Sequence, residues 1–254
     1  MNKKINYLVF VLLLITLIGG KSDVFAQGKM TTLTLTFMNI VKDTPVVLYD
    51  VNYTNPFGEK YTINKFRYYI SKISFIQDSK IFGMNSSIYL IDEGKVDSKS
   101  ISLKVPAGNY SYLNFQIGVD SIYNVSGAQT GSLDPTKDMF WTWNTGYVMA
   151  KLEGISPASK VVNGKYEFHI GGFSGKNNVL KTVNLPFPQN KPVLFAAGKT
   201  TEIIITADVD AWFQNPHDMK IADKPAINSP GKFAVAMSEN YADMFTIEKI
   251  LNHP

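Results

Sequence analysis

The chain has 254 residues, a formal net charge of +4, 13% aromatic residues and no cysteine. The absence of cysteine excludes disulfides, thiolate metal sites, a cysteine nucleophile and the acylated cysteine of a bacterial lipoprotein. The weak positive charge has no clustered basic run, which argues against a nucleic-acid groove, and the aromatic content is typical of a β-rich exported domain.

The N-terminus has the pattern of a cleavable secretory signal. A short basic start at Met1–Lys4 precedes an apolar run at 7–18, and Ala26 is a small residue at the predicted cleavage position. The run is too short for a bilayer span, which takes roughly 20 residues, and no second run of that length follows. We therefore predict a signal peptide at 1–26 and one mature domain at 27–254, periplasmic or secreted and without a membrane span.

The mature sequence predicts many short strands. Leu33, Leu35 and Phe37 alternate with threonines, which indicates a half-buried strand. Further strands are predicted at 66–76, 87–91, 101–105, 112–119, 146–154, 166–172, 179–185, 201–208 and 245–250, and short helices at 211–213 and 232–241. Strands with so few helices between them predict an all-β fold, an antiparallel β-sandwich of Ig-like or related type.

Residues 120–140 lose this alternation and predict a long ordered loop, a feature that is usually functional in compact domains. Asp120, Asp134 and Asp138, together with Asn124, place several oxygen donors in the loop. An alternative interpretation is therefore a Ca²⁺ site, which takes about six to eight oxygen ligands. The spacing matches no standard calcium loop.

No common enzyme motif is present: the sequence lacks a nucleophile elbow, a phosphate loop, a zinc-protease motif and a dinucleotide fingerprint. The chain has three histidines. His253 is predicted to fray at the C-terminus, and His217 to lie in an exposed polar turn. His169 lies in a predicted strand, where it is either a metal ligand or a structural residue bonded to a backbone carbonyl.

The most distinctive segment contains Trp141 and Trp143. Residues two apart on an extended chain share a face, so the two indoles are expected on one side. They either plug the end of the sandwich or form a redox-active or ligand-stacking site under the long loop.

Several motifs resemble the MbnP-like family. In chain order they are Phe66–Ser71, Pro106–Tyr110, Ile117–Asp120, Leu133–Pro135, Met139–Tyr147, Lys151–Gly154, Phe168–Gly172 and Asn240–Phe245. Members of that family are periplasmic or secreted β-rich proteins linked to copper handling, encoded beside a di-haem partner resembling MauG and the bacterial cytochrome c peroxidases. The partner oxidises a tryptophan of the family protein to kynurenine, and copper binds through histidine near the modified residue.

The resemblance implies that this chain is an exported copper-associated protein, the substrate of a di-haem tryptophan oxidase and not itself an enzyme. Trp141 and Trp143 are the candidates for oxidation. His169 is the implied copper ligand, with the Met139 thioether as a soft additional donor for Cu(I). The residues leave a second interpretation open, a metal-free β-sandwich that binds a partner or a ligand.

Overall fold

The computed structural model describes residues 29–142 and 145–253, so the predicted signal peptide and Trp143 lie outside the described residues. The described strands are β1 (Met30–Val41), β2 (Thr44–Pro45), β3 (Tyr53–Thr54), β4 (Lys60–Tyr61), β5 (Lys65–Gln77), β6 (Lys80–Asn85), β7 (Tyr89–Asp92), β8 (Ser100–Pro106), β9 (Gly108–Tyr110), β10 (Tyr112–Ile117), β11 (Phe140–Thr142), β12 (Gly146–Ile155), β13 (Lys165–Gly171), β14 (Lys181–Pro186), β15 (Val193–Phe195), β16 (Thr200–Asp208), β17 (Ala226–Ile227) and β18 (Phe245–His253). The α-helices of this part of the chain are α1 (Ser121–Val125) and α2 (Lys232–Tyr241). None of the helices described is long and apolar enough to cross a membrane.

Most of the described strands form two sheets. The smaller sheet has the order β18-β16-β1-β2, with β8 pairing β1. The larger sheet has the order β14-β10-β5-β12-β13-β17, with β6 and β7 pairing β5 and β11 pairing β12. Strand β12 thus lies in the middle of the larger sheet, between β5 and β13.

Aromatic side chains join the two sheets in one core. Phe37 and Phe245 of the smaller sheet pack edge-on against Tyr68 and Phe115 of the larger sheet, with ring centroids 5.0–6.2 Å apart. These four rings are buried, and in β1 the buried residues alternate with more exposed ones. Because Tyr68 points into this core, its neighbour Arg67 points to the opposite, outer face of the larger sheet.

The prediction of an all-β, sandwich-like fold is confirmed, and α2 occupies the residues predicted for the second helix. Two strand pairs differ from a purely antiparallel arrangement, because β1 runs parallel to β16 and β13 runs parallel to β17. The segment predicted as a long loop lacks strands up to Phe140 and contains α1 and two 3₁₀ turns, Gly131–Leu133 and Pro135–Lys137.

Candidate functional site

The outer face of the larger sheet carries a row of basic side chains. Lys151 of β12 lies between Arg67 of β5 and His169 of β13 in the strand register. Their chain neighbours Leu152 and Phe168 are fully buried in the core. Strand alternation therefore directs all three basic side chains to the outer face.

His169 is held in this row by Glu153. Its Nε2 atom lies 2.8 Å from Glu153 Oε1, and the two side chains are 17% and 16% exposed. Burial alone would raise the pKa of Glu153. The hydrogen bond with His169 and the charges of Lys151 and Lys65 outweigh burial and lower that pKa to about 2. Glu153 is thus ionised at neutral pH, and no other described residue hydrogen-bonds the His169 ring.

Asp138 brings the preceding loop onto the same face. Its Oδ2 atom lies 2.8 Å from Lys65 Nζ, 3.1 Å from Lys151 Nζ and 3.6 Å from Arg67 Nη1. Lys151 Nζ lies 3.6 Å from Glu153 Oε1. One network of hydrogen bonds and ion pairs therefore runs from His169 through Glu153 and Lys151 to Asp138.

Trp141 follows Asp138 by three residues and lies over the glycine of β13. A Cβ atom built on Gly171 would lie 2.5 Å from Trp141 Cζ3 and 2.9 Å from Cη2, so the indole occupies the space that a side chain there would take. The register irregularity falls on β12, between Val148 and Ala150, and β13 itself stays regular. His169 and Gly171 therefore project to one face, with Cα atoms roughly 7 Å apart. The half-buried indole of Trp141 therefore covers the Gly171 position on the face to which His169 projects.

The other predicted site residues lie elsewhere. Met139 is fully buried in the core cluster, and its backbone carbonyl accepts a hydrogen bond from Val148. His217 Nε2 lies 2.5 Å from Glu239 Oε2, in agreement with an exposed polar position. His253 differs from the prediction of a frayed end, because it pairs with Thr200 in β18 and its Nε2 lies 3.5 Å from Glu202 Oε2.

The three carboxylates of the calcium interpretation have separate partners. Asp120 pairs with Lys72, 2.7 Å away, and Asp134 accepts hydrogen bonds from Thr136. Asp138 instead pairs with Lys65, and the Lys65 and Lys72 positions on β5 are roughly 20 Å apart. The structure therefore does not bring these three carboxylates into one coordination sphere.

A copper ion is the metal that the resemblance implies, and the donor set tests whether it fits. His169 supplies one imidazole, and its carboxylate neighbour is already shared with two lysines. Among the described residues, no three His, Cys, Asp or Glu side chains group as metal ligands. Copper sites usually need two or more nitrogen or sulfur donors. The described residues alone thus do not make a complete copper site.

Sequence reasoning gave no role to Lys65, Arg67, Lys151, Glu153 or Gly171. The alternation around Leu152 was a usable signal, since it places Lys151 and Glu153 together on the outer face. The register with β5 and β13, which brings their partners beside them, was not readable from local pattern.

Fold and site together define a β-sandwich protein whose outer face carries a half-buried indole and a histidine that is hydrogen-bonded to a carboxylate. The sequence model of the MbnP family matches residues 30–230. The chain therefore belongs to the MbnP family, and the resemblance found in its motifs is confirmed. The solved structure of MbnP from Methylosinus trichosporium is similar, with a TM-score of 0.54 and 13% identity, over 88% of this chain and 99% of that chain. At that identity the likeness concerns the fold alone, and no curated protein matches the sequence.

Proposed function

We propose that this chain is an exported, periplasmic or secreted protein and the substrate of a di-haem tryptophan oxidase, with Trp141 as the first candidate for oxidation and Trp143 as the second. Membership of the MbnP family supports the class of reaction. The observation that carries the choice of Trp141 is its half-buried indole, seated against Gly171 on the face that holds His169.

Partial burial suits a side chain that another protein must oxidise. An indole that packs against the surface of the sheet is accessible to a docked partner, and its packing holds it in one orientation. The third tryptophan has the opposite environment, because Trp212 is fully buried and packs against Phe66 and Tyr241. Of the two tryptophans that the structure describes, Trp141 is thus the accessible one.

The reaction opens the five-membered ring of the indole. Carbon C2 leaves as formate, the former C3 becomes a ketone, and the ring nitrogen becomes an aryl amine. The cleavage removes four electrons and four protons and takes the added oxygen from water. The electrons pass through the haems of the partner to two molecules of hydrogen peroxide, which are reduced to water. The product is kynurenine, and the chain becomes heavier by the difference between one oxygen and one carbon atom.

Mass spectrometry of protein purified from its native host tests this proposal. The peptide that contains Trp141 and Trp143 is expected to carry the kynurenine mass change, and fragment ions locate it. Trp141→Phe should abolish the change and Trp143→Phe should leave it intact. The opposite pattern would move the reaction to Trp143, and an unmodified peptide from a copper-replete host would contradict the oxidation.

Copper association through His169 is the second part of the proposal. Since the described residues supply a single imidazole there, a further donor has to come from the oxidised side chain, from a partner or from Met139 after rearrangement of the core. Cu(I) titration against a competing chelator tests this, with oxidised wild type, His169→Ala and Met139→Leu. His217→Ala is the matched control, because that imidazole is also paired with a carboxylate.

Weaker binding in His169→Ala, with no change in His217→Ala, is the expected result. Equal affinity in both would remove His169 from the site. The incomplete set of metal donors among the described residues supports the alternative function, a metal-free interaction or ligand-binding module. It predicts native protein with unmodified tryptophans and no bound copper.

A further inference from the structure

The segment that leads into β11 reverses direction at Asp138. This residue has a φ of +58°, in the left-handed region, and its backbone N–H closes the 3₁₀ turn by donating to Pro135 O over 3.1 Å. Aspartate is among the residues that tolerate this conformation. Asp138 ends the 3₁₀ turn, β11 begins two residues later, and Trp141 is the second residue of β11.

Three cationic side chains of the larger sheet contact Asp138. Lys65 and Arg67 come from β5 and Lys151 comes from β12, and all three lie within 3.6 Å of Asp138 Oδ2. Lys65 and Lys151 hydrogen-bond this carboxyl and, against the effect of its burial, lower its pKa. Asp138 is therefore ionised at neutral pH while all three cations face it.

The cations bind the backbone of the segment as well as its carboxylate. Lys151 Nζ donates to Asp138 O, and Arg67 Nη1 donates to Lys137 O over 3.0 Å. The Lys151 side chain is only 3% exposed, and a buried ammonium group needs charged and hydrogen-bonding partners. Asp138 supplies two of its acceptors, so the loop and the lysine depend on each other.

The segment between this anchor and the indole is short. Met139 O accepts a hydrogen bond from Val148, and Phe140 packs on Tyr147 with ring centroids 4.8 Å apart. Both contacts join the residues that precede Trp141 to β12. Met139 and Phe140 are the two residues that separate Asp138 from Trp141.

We propose that Asp138 is a positioning residue: its clamp by Lys65, Arg67 and Lys151 holds the Trp141 strand on the sheet and keeps the indole seated over Gly171. Its bearing on oxidation rests on the proposed function, whereas the positioning itself does not. The clamp is a property of the free protein, so it can be measured without a partner.

Acrylamide quenching of tryptophan fluorescence measures the seating. A Trp143→Phe background leaves Trp141 and the fully buried Trp212, which is shielded from the quencher. In this background Asp138→Asn keeps the shape of the side chain and removes its charge. Glu202→Gln is the matched control, since it removes a carboxylate of the other sheet that accepts a hydrogen bond from Thr36 and lies 3.5 Å from His253 Nε2.

Asp138→Asn is expected to raise the quenching constant of Trp141 by about twofold or more and to shift its emission to the red, because the strand opens locally more often. Glu202→Gln should change neither quantity. Lys65→Gln removes one cation of the clamp and should give a smaller increase of the same sign. If circular dichroism shows that Asp138→Asn does not fold, the quenching constant of Lys65→Gln tests the proposal instead. Quenching equal to that of the parent in the folded variant overturns the proposal.

Oxidation by the native di-haem partner provides a second readout. Asp138→Asn should lower the fraction of Trp141 that is converted, with Glu202→Gln equal to wild type. If wild-type Trp141 is not oxidised at all, the proposed function fails, and the quenching result still decides the role of Asp138. Altered quenching with unaltered oxidation would limit the role of the clamp to the free protein.

Discussion

The fit between Trp141 and Gly171 leads to a prediction for Gly171→Ala. The added Cβ would lie 2.5 Å from Trp141 Cζ3 and 3.0 Å from Tyr147 O. Two carbon atoms rest about 3.5 Å or more apart, so the indole has to move by about 1 Å or leave its seat. Gly171 does not have a positive φ, so alanine meets no backbone strain of its own there.

Overpacking of this kind costs about 1–3 kcal/mol of unfolding free energy. Each kcal/mol lowers Tm by roughly 2–4 °C in a domain of this size, so calorimetry should detect the change. The same substitution in a Trp141→Phe background should cost at least about 1 kcal/mol less, because Cζ3 and Cη2 are then absent. An equal cost in both backgrounds would show that the indole does not occupy this seat, and the reasoning would be refuted.

Two further predictions concern the surroundings of the indole. Because the pKa of Glu153 is lowered from 4.5 to about 2 in the folded protein, its ionised form stabilises the fold above about pH 4.5, and this stabilisation is lost as the pH falls toward 2. Urea unfolding with a metal chelator present measures this pH dependence, which amounts to about 3 kcal/mol of unfolding free energy when complete. Glu153→Gln should remove it, and an unchanged pH profile in this variant would contradict the prediction. Asn124 is fully buried, and its side chain accepts from Tyr147 N and donates to Val119 O, each over 2.8 Å. Asn124→Ala leaves these groups unpaired and should cost about 2–4 kcal/mol in the same assay, whereas a loss under about 0.5 kcal/mol would mean that water replaces the amide.

Local periodicity predicted most of the long strands, but it missed β6 and several short strands and did not predict which strands pair. The alternation of Leu33, Leu35 and Phe37 with threonines predicted which side chains are buried, and all three are. It did not predict that β1 pairs in parallel with β16, more than 160 residues later in the chain. A side-chain pattern reports which face of a strand is apolar, while the neighbour of that strand depends on the packing of the whole chain.

The same distinction explains what could be predicted of the site. His169 stands between the buried residues Phe168 and Ile170, so its outward direction follows from sequence. Its pairing with Glu153 depends on the register between β12 and β13, and the contacts of the buried Lys151 with Asp138 depend on the path of the preceding loop. The reason for a glycine at position 171 could not be predicted from sequence, because it depends on the indole that occupies the space of a side chain there.

The charges on the outer face bear on how oxidation and copper association relate to each other. The carboxylate that holds His169 is shared with Lys65 and Lys151, so a cation that binds this imidazole meets two ammonium groups within 3.6 Å of its nearest carboxylate. These charges oppose metal binding to the unmodified protein, yet they fix the strand that carries Trp141. The network therefore suits positioning better than coordination. Copper association is therefore expected to follow oxidation, because the aryl amine of the product adds a nitrogen donor to this face.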